Sequence, residues 1–122
     1  LLIDKGVDTS VVTFTSDGQG SLPGFDEDGN MSRIDVGKVT SLYESVRDSI
    51  IKDKVDIAKA IAVITENPAK IYGLSAKGKI AEGKDADLVI ADKSSLEIET
   101  VIAKGQIMIK DKAILVKGTF EK

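Results

Sequence analysis

The chain has 122 residues, 42% of them hydrophobic and 30% charged, which is the length and balance of about one soluble globular domain. A net charge of -3 with both signs scattered provides no basic stripe, and five aromatics (Phe14, Phe25, Tyr43, Tyr72, Phe120) leave little surface for base stacking, so nucleic acid is excluded as a partner. No apolar run approaches the roughly 20 residues that span a bilayer, which argues against a membrane role. The absence of cysteine and histidine excludes disulfides, thiolate or imidazole zinc sites complete within the chain, and any Ser-His pair; a cysteine-free chain also fits a cytoplasmic location.

Leu1-Leu2-Ile3 opens an apolar pattern with no cap before it, as expected of a segment cut from a longer chain. Residues 1–6 read as the tail of a helix, with Lys5 near its carbonyl end and Gly6 just beyond it. Residues 7–15 then carry a strand. Its β-branched and aromatic run, Val11-Val12-Thr13-Phe14-Thr15, ends in Ser16-Asp17-Gly18-Gln19-Gly20-Ser21. This pattern predicts a buried strand that delivers the Asp17 carboxylate to a loop mouth, with glycines that allow a sharp turn and close approach of a ligand. Catalytic groups of α/β barrels stand at such carboxyl ends of parallel strands. The plainer alternative is an ordinary Asp-Gly turn after a strand.

Residues 16–36 read as a long loop rich in glycine, proline and acids. Within it, Asp26-Glu27-Asp28-Gly29-Asn30 lacks the spacing of a calcium loop, because Gly29 is fourth and Gly37 twelfth from Asp26 where a sixth-position glycine and twelfth-position glutamate are needed. A solvated turn is expected there. Val39, Leu42, Tyr43, Val46 and Ile50 recur at helical spacing and predict a helix over residues 38–53. A second helix is expected over residues 57–66, capped by Asp56 and lined with small alanines for close packing. Asn67-Pro68 marks a break, followed by a short turn ending at Gly73.

Beyond Leu74 the pattern changes to strands and tight turns. A short segment at residues 79–81 lies between Lys77-Gly78 and Glu82-Gly83, and strands are expected at residues 86–91, 98–103, 106–109 and 113–116, the last two as a hairpin. Their imperfect alternation predicts burial on both faces or packing against a sheet outside the chain. Asp85 and Asp87 could pair on a metal, but at a strand entrance they are better suited to satisfying turn amides.

Three stretches, in this order and spacing, resemble the carboxyl-terminal part of the amidohydrolase superfamily, and within it the isoaspartyl dipeptidases. They are Ser16-Asp17-Gly18-Gln19-Gly20-Ser21-Leu22-Pro23, then Thr65-Glu66-Asn67-Pro68-Ala69, then Gly78-Lys79-Ile80-Ala81-Glu82-Gly83-Lys84-Asp85-Ala86-Asp87-Leu88-Val89. The latter two are shared with dihydroorotase-like and deacetylase enzymes, and the first is narrower. The resemblance implies an α/β chain holding the last strand and closing helices of a (β/α)₈ TIM barrel at residues 1–74, then part of a small β-sandwich at residues 75–122. It also implies a cytoplasmic, homo-oligomeric hydrolase of β-aspartyl dipeptides with two zinc ions. Asp17 matches the family's aspartate that binds one zinc and carries the proton from the attacking water to the leaving amine. Ser21 matches the serine that contacts the dipeptide. The remaining ligands of that family, histidines and a carboxylated lysine, have no match here, so the chain alone is expected to be inactive. Another amidohydrolase or a noncatalytic module of the same fold are the alternatives.

Overall fold

A computed structural model describes residues 6–118, which leaves Lys5 and the expected helix end outside the described residues. Two compact units part between Ile64 and Thr65, namely Leu1–Ile64 and Thr65–Lys122.

In the first unit, Asp8 caps a single 3₁₀ turn at Thr9–Val11 by accepting a hydrogen bond from the Ser10 amide at 2.9 Å. The strand expected over residues 7–15 is therefore not formed. Val12 is extended, and Phe14 donates its amide to the Val63 carbonyl at 3.2 Å, at the end of a helix and not in a sheet ladder. The correction has a physical cause: a parallel strand exists through its neighbours, and the described residues contain none for it. Burial fails with pairing, since Val11 is 68% and Phe14 47% exposed.

Residues 16–36, expected to be a loop, contain an antiparallel hairpin of β1 (Ser21–Phe25) and β2 (Met31–Val36). The acidic run makes its turn. Asp26 Oδ1 accepts from the amides of Asp28 at 3.1 Å and Asn30 at 2.8 Å, so this carboxylate serves the backbone as expected of a solvated turn. Pro23-Gly24 hid the strand from the sequence reading, because both residues are rare in strand interiors and tolerated at edges and bulges; the register does shift between Gly24 and Phe25.

Helix α1 (Ser41–Ile51) and helix α2 (Ile57–Ala62) stand where the 3.6-residue period placed them, both shorter than expected. Asp56 caps α2 by accepting from the Lys59 amide at 3.1 Å. The unit's core is small. Val46 of α1, at 1% exposure, packs with Ala60 and Val63, and Val12, Ile50, Val55, Ile61 and Ile64 close around them.

The second unit opens with helix α3 (Glu66–Ile71), which runs through the expected break at Asn67-Pro68. Pro68 is the third helical residue, where the missing amide would have had no partner inside the helix. The break falls instead at Thr65, whose φ of -127° and ψ of -84° are not helical. Tyr72, at the end of α3, is 75% exposed.

A four-stranded antiparallel meander follows, ordered β3 (Leu88–Ala91), β4 (Ile98–Ala103), β5 (Gln106–Lys110), β6 (Ala113–Ile114). Residues 79–81 are not a strand, and Ile80 is exposed. Lys104-Gly105 joins β4 to β5 with φ of 48° and 80°, and Asp111-Lys112 joins β5 to β6 with φ of 50° and 66°. Two consecutive left-handed residues are the signature of type I′ turns, whose twist matches that of the strands they join. The sheet is not buried on both faces within this chain, because Val89, Ile90, Ile107 and Ile114 are exposed.

Candidate functional site

The candidate site is the turn at Asp17. Thr15 and Ser16 begin it by bending their hydroxyls back onto the chain: Thr15 Oγ1 accepts from the Asp17 amide at 3.4 Å and Ser16 Oγ from the Gly18 amide at 3.1 Å. Asp17 (φ 48°) and Gln19 (φ 69°) both adopt left-handed backbone. Such a conformation is unfavourable for residues with a Cβ and is held here by hydrogen bonds. The Gly20 amide donates to the Asp17 carbonyl at 2.8 Å, the Gln19 amide to Gly37 at 2.9 Å, and the Gly37 amide to Gly20 at 2.8 Å. These bonds tie the turn to the base of the β1–β2 hairpin, where Gly37 is buried.

The Asp17 side chain is exposed at this turn, and Ser21, also exposed, is the first residue of β1 and pairs with Val36. The two residues singled out from the sequence thus share one pinned turn. Asp17 offers a hard oxygen donor suited to a divalent cation. It is one ligand and not a site: among the described residues no three His, Cys, Asp or Glu side chains gather to hold a metal. The residues ahead of Asp17 line an open cleft of about 330 Å³ with hydroxyl groups from Thr13, Thr15, Ser16, Ser41 and Ser45.

Two glycines complete the site in a way the sequence reading missed. A Cβ placed on Gly37 would stand 2.4 Å from the Asp17 carbonyl oxygen, and one on Gly20 would stand 2.7 Å from the Asp17 carboxylate. Gly20 carried a signal in the Gly-x-Gly pattern. Gly37 carried none, since its contact is made across the hairpin.

In the second unit Asp85 and Asp87 form a clamp around Lys77. Lys77 Nζ lies 2.8 Å from Asp85 Oδ2 and also bonds Asp87 Oδ2, while Asp87 Oδ1 accepts from the Lys104 amide at 2.7 Å. Hydrogen bonds to Asp85 and then Asp87 raise the Lys77 pKa, and the Lys77 bond, followed by the Lys104 amide, lowers that of Asp87. Asp87 does satisfy a turn amide, as expected. Asp85 serves the lysine instead.

The sequence profile of the amidohydrolase family matches residues 1–108. The structure superposes with a TM-score of 0.83, at 38% identity, on a β-aspartyl dipeptidase of Fervidobacterium islandicum AW-1 solved in complex with β-Asp-Leu dipeptide, covering 96% of this chain and 31% of that one. In sequence, adenine deaminase 1 of Carboxydothermus hydrogenoformans is 40% identical over 60 residues, covering 48% of this chain and 10% of the deaminase. A dihydroorotase of Endomicrobium trichonymphae is 35% identical over 72 residues, covering 52% of this chain and 17% of the dihydroorotase. The chain thus spans less than a third of each of these relatives. These relatives have the amidohydrolase TIM-barrel fold, matched here over a small part, and the chain's helices and antiparallel strands are consistent with a segment of such an enzyme. Matched by the family profile over most of its length and superposable on a dipeptidase over nearly all of it, the chain belongs to the amidohydrolase family.

Proposed function

We infer that the chain is the carboxyl-terminal part of a zinc-dependent isoaspartyl dipeptidase. The observation that carries this reading is the 38% identity over 96% of the chain to a β-aspartyl dipeptidase, against 31% over 95% of the chain for an adenine deaminase of Roseobacter denitrificans. The exposed carboxylate on a turn pinned by three backbone bonds supplies the chemical half of the argument. In this reading Asp17 holds one zinc ion and Ser21 contacts the dipeptide. Bound divalent cations lower the pKa of water toward about 7 and polarise a carbonyl. Asp17 accepts the proton of the attacking water and gives it to the leaving amine, acting as base and acid in turn. The pinned turn fixes the backbone from which this short side chain projects through both transfers.

The histidine-free chain cannot complete a two-zinc site of this kind, so the 122 residues alone are inactive and the other ligands stand on barrel strands outside them. The full enzyme is a cytoplasmic homo-oligomer. No helix among the described residues is long and apolar enough to cross a membrane. A second reading, a cyclic amide hydrolase, is favoured by the dihydroorotase match and by an allantoinase of Bacillus licheniformis 42% identical over 48 residues.

A substrate profile of the full-length parent separates the two. The dipeptidase reading expects kcat/KM for β-Asp-Leu to exceed that for dihydroorotate and allantoin by at least about 10³-fold, as a site built for one set of polar groups rejects analogues that lack them. A preference for either cyclic amide contradicts it.

A further inference from the structure

The Asp17 carboxylate occupies the space where a side chain on Gly20 would begin. A Cβ built on Gly20 would stand 2.7 Å from Cγ, Oδ1 and Oδ2 of Asp17 alike, well inside the 3.5 Å or so at which nonbonded atoms of this kind rest. Glycine is not required at this position for backbone freedom. The left-handed residues of the turn are Asp17 and Gln19, and Gly20 is not among the positive-φ glycines. At this turn, therefore, side chains sit where the backbone is unfavourable, and Gly20 has a bare Cα where only space is at stake.

The backbone beneath cannot yield. The Gly20 amide is bonded to the Asp17 carbonyl and the Gly20 carbonyl to the Gly37 amide, both at 2.8 Å. The movable part is the carboxylate itself, at the end of a short side chain. Gly37 differs, because a Cβ there would meet the Asp17 carbonyl oxygen and so disrupt the turn and not the carboxylate alone.

We propose that Gly20 is a positioning residue for Asp17, its bare Cα forming the floor on which the carboxylate rests and by which its aim is set. The catalytic consequence rests on the reading of Asp17 as zinc ligand and proton carrier; the placement does not. Gly20→Ala would leave the backbone in place and turn the carboxylate away.

The test is a cycle of wild type, Gly20→Ala, Asp17→Ala and the double variant in the full-length parent, with the Asp17 ¹³Cγ resonance of that same protein as a readout independent of activity. Gly20→Ala is expected to lower kcat about 100-fold with KM changed less than about threefold, the size of a misplacement near 1 Å. In the Asp17→Ala background the same substitution adds less than about twofold, since a group that acts only through the carboxylate has nothing left to act on. The Asp17 resonance moves in Gly20→Ala. An unchanged kcat, an equal added loss without the carboxylate, or an unmoved resonance overturns the proposal. If Asp17→Ala itself keeps full activity, the zinc-ligand reading fails and the resonance alone judges the placement. Should Gly20→Ala fail to fold, the double variant is expected to fold, because the displaced carboxylate is gone; a double variant equally unfolded also overturns it.

Discussion

The two units differ in what holds them. The Leu1–Ile64 unit gathers a few apolar side chains around Val46 from segments well apart in sequence, and the strand expected over residues 7–15 finds no ladder to join among the described residues. The Thr65–Lys122 unit is a meander in which every strand pairs with the next one in sequence, through turns of two residues at Lys104-Gly105 and Asp111-Lys112. A structure built from neighbours in sequence carries its instructions with it. A structure built from distant partners depends on their presence.

The sharpest way to break this comparison is Val46→Ala. Removing two methyl groups from Val46, at 1% exposure, costs about 2 kcal/mol, including the cavity left behind. Amide hydrogen exchange should lose protection in α1 and α2 and keep it in β4 and β5. Loss spread evenly over the sheet would show that the units are not independent. A smaller effect comes from Gly105→Ala, where φ is 80° and a Cβ meets nothing within 4 Å. The cost is therefore conformational alone, about 1 kcal/mol. It should appear as faster exchange across β4 and β5 with α1 and α2 untouched; an unchanged sheet would mean that the turn does not set the register.

The same contrast explains what the sequence made legible. Helical period and the Asp56 cap foretold α1 and α2, and the residues of the meander lie close to their expected ranges because glycine and lysine pairs announce tight turns. The strand ending at Asp17 was misread because β-branched residues report a preference for a ladder and cannot supply one. The β1–β2 hairpin was missed because Pro23-Gly24 obscures a strand that the Asp26 turn then closes. Asp17 and Ser21 were legible as neighbours on one loop. The contact between Gly37 and the Asp17 carbonyl was not, since it joins residues 20 apart through a hairpin that the sequence reading did not contain.

Exposed apolar side chains mark both units. Val11 and Phe14 in the first, and Val89, Ile90 and Ile114 in the second, are exposed, and under the proposed function they are the surface that barrel strands and a facing sheet cover.

The central claim is that Asp17 is the carboxylate through which this segment takes part in the chemistry. Asp17→Asn in the full-length parent keeps the size and left-handed tolerance of the side chain while removing its charge and basicity. Zinc content and β-Asp-Leu hydrolysis are then measured beside wild type. In this variant kcat is expected to fall by at least about 10³-fold, within the range that proton transfer by one positioned group contributes, with zinc content reduced and the fold intact by circular dichroism. A folded Asp17→Asn enzyme that keeps its zinc and turns over β-Asp-Leu at the wild-type rate would contradict it.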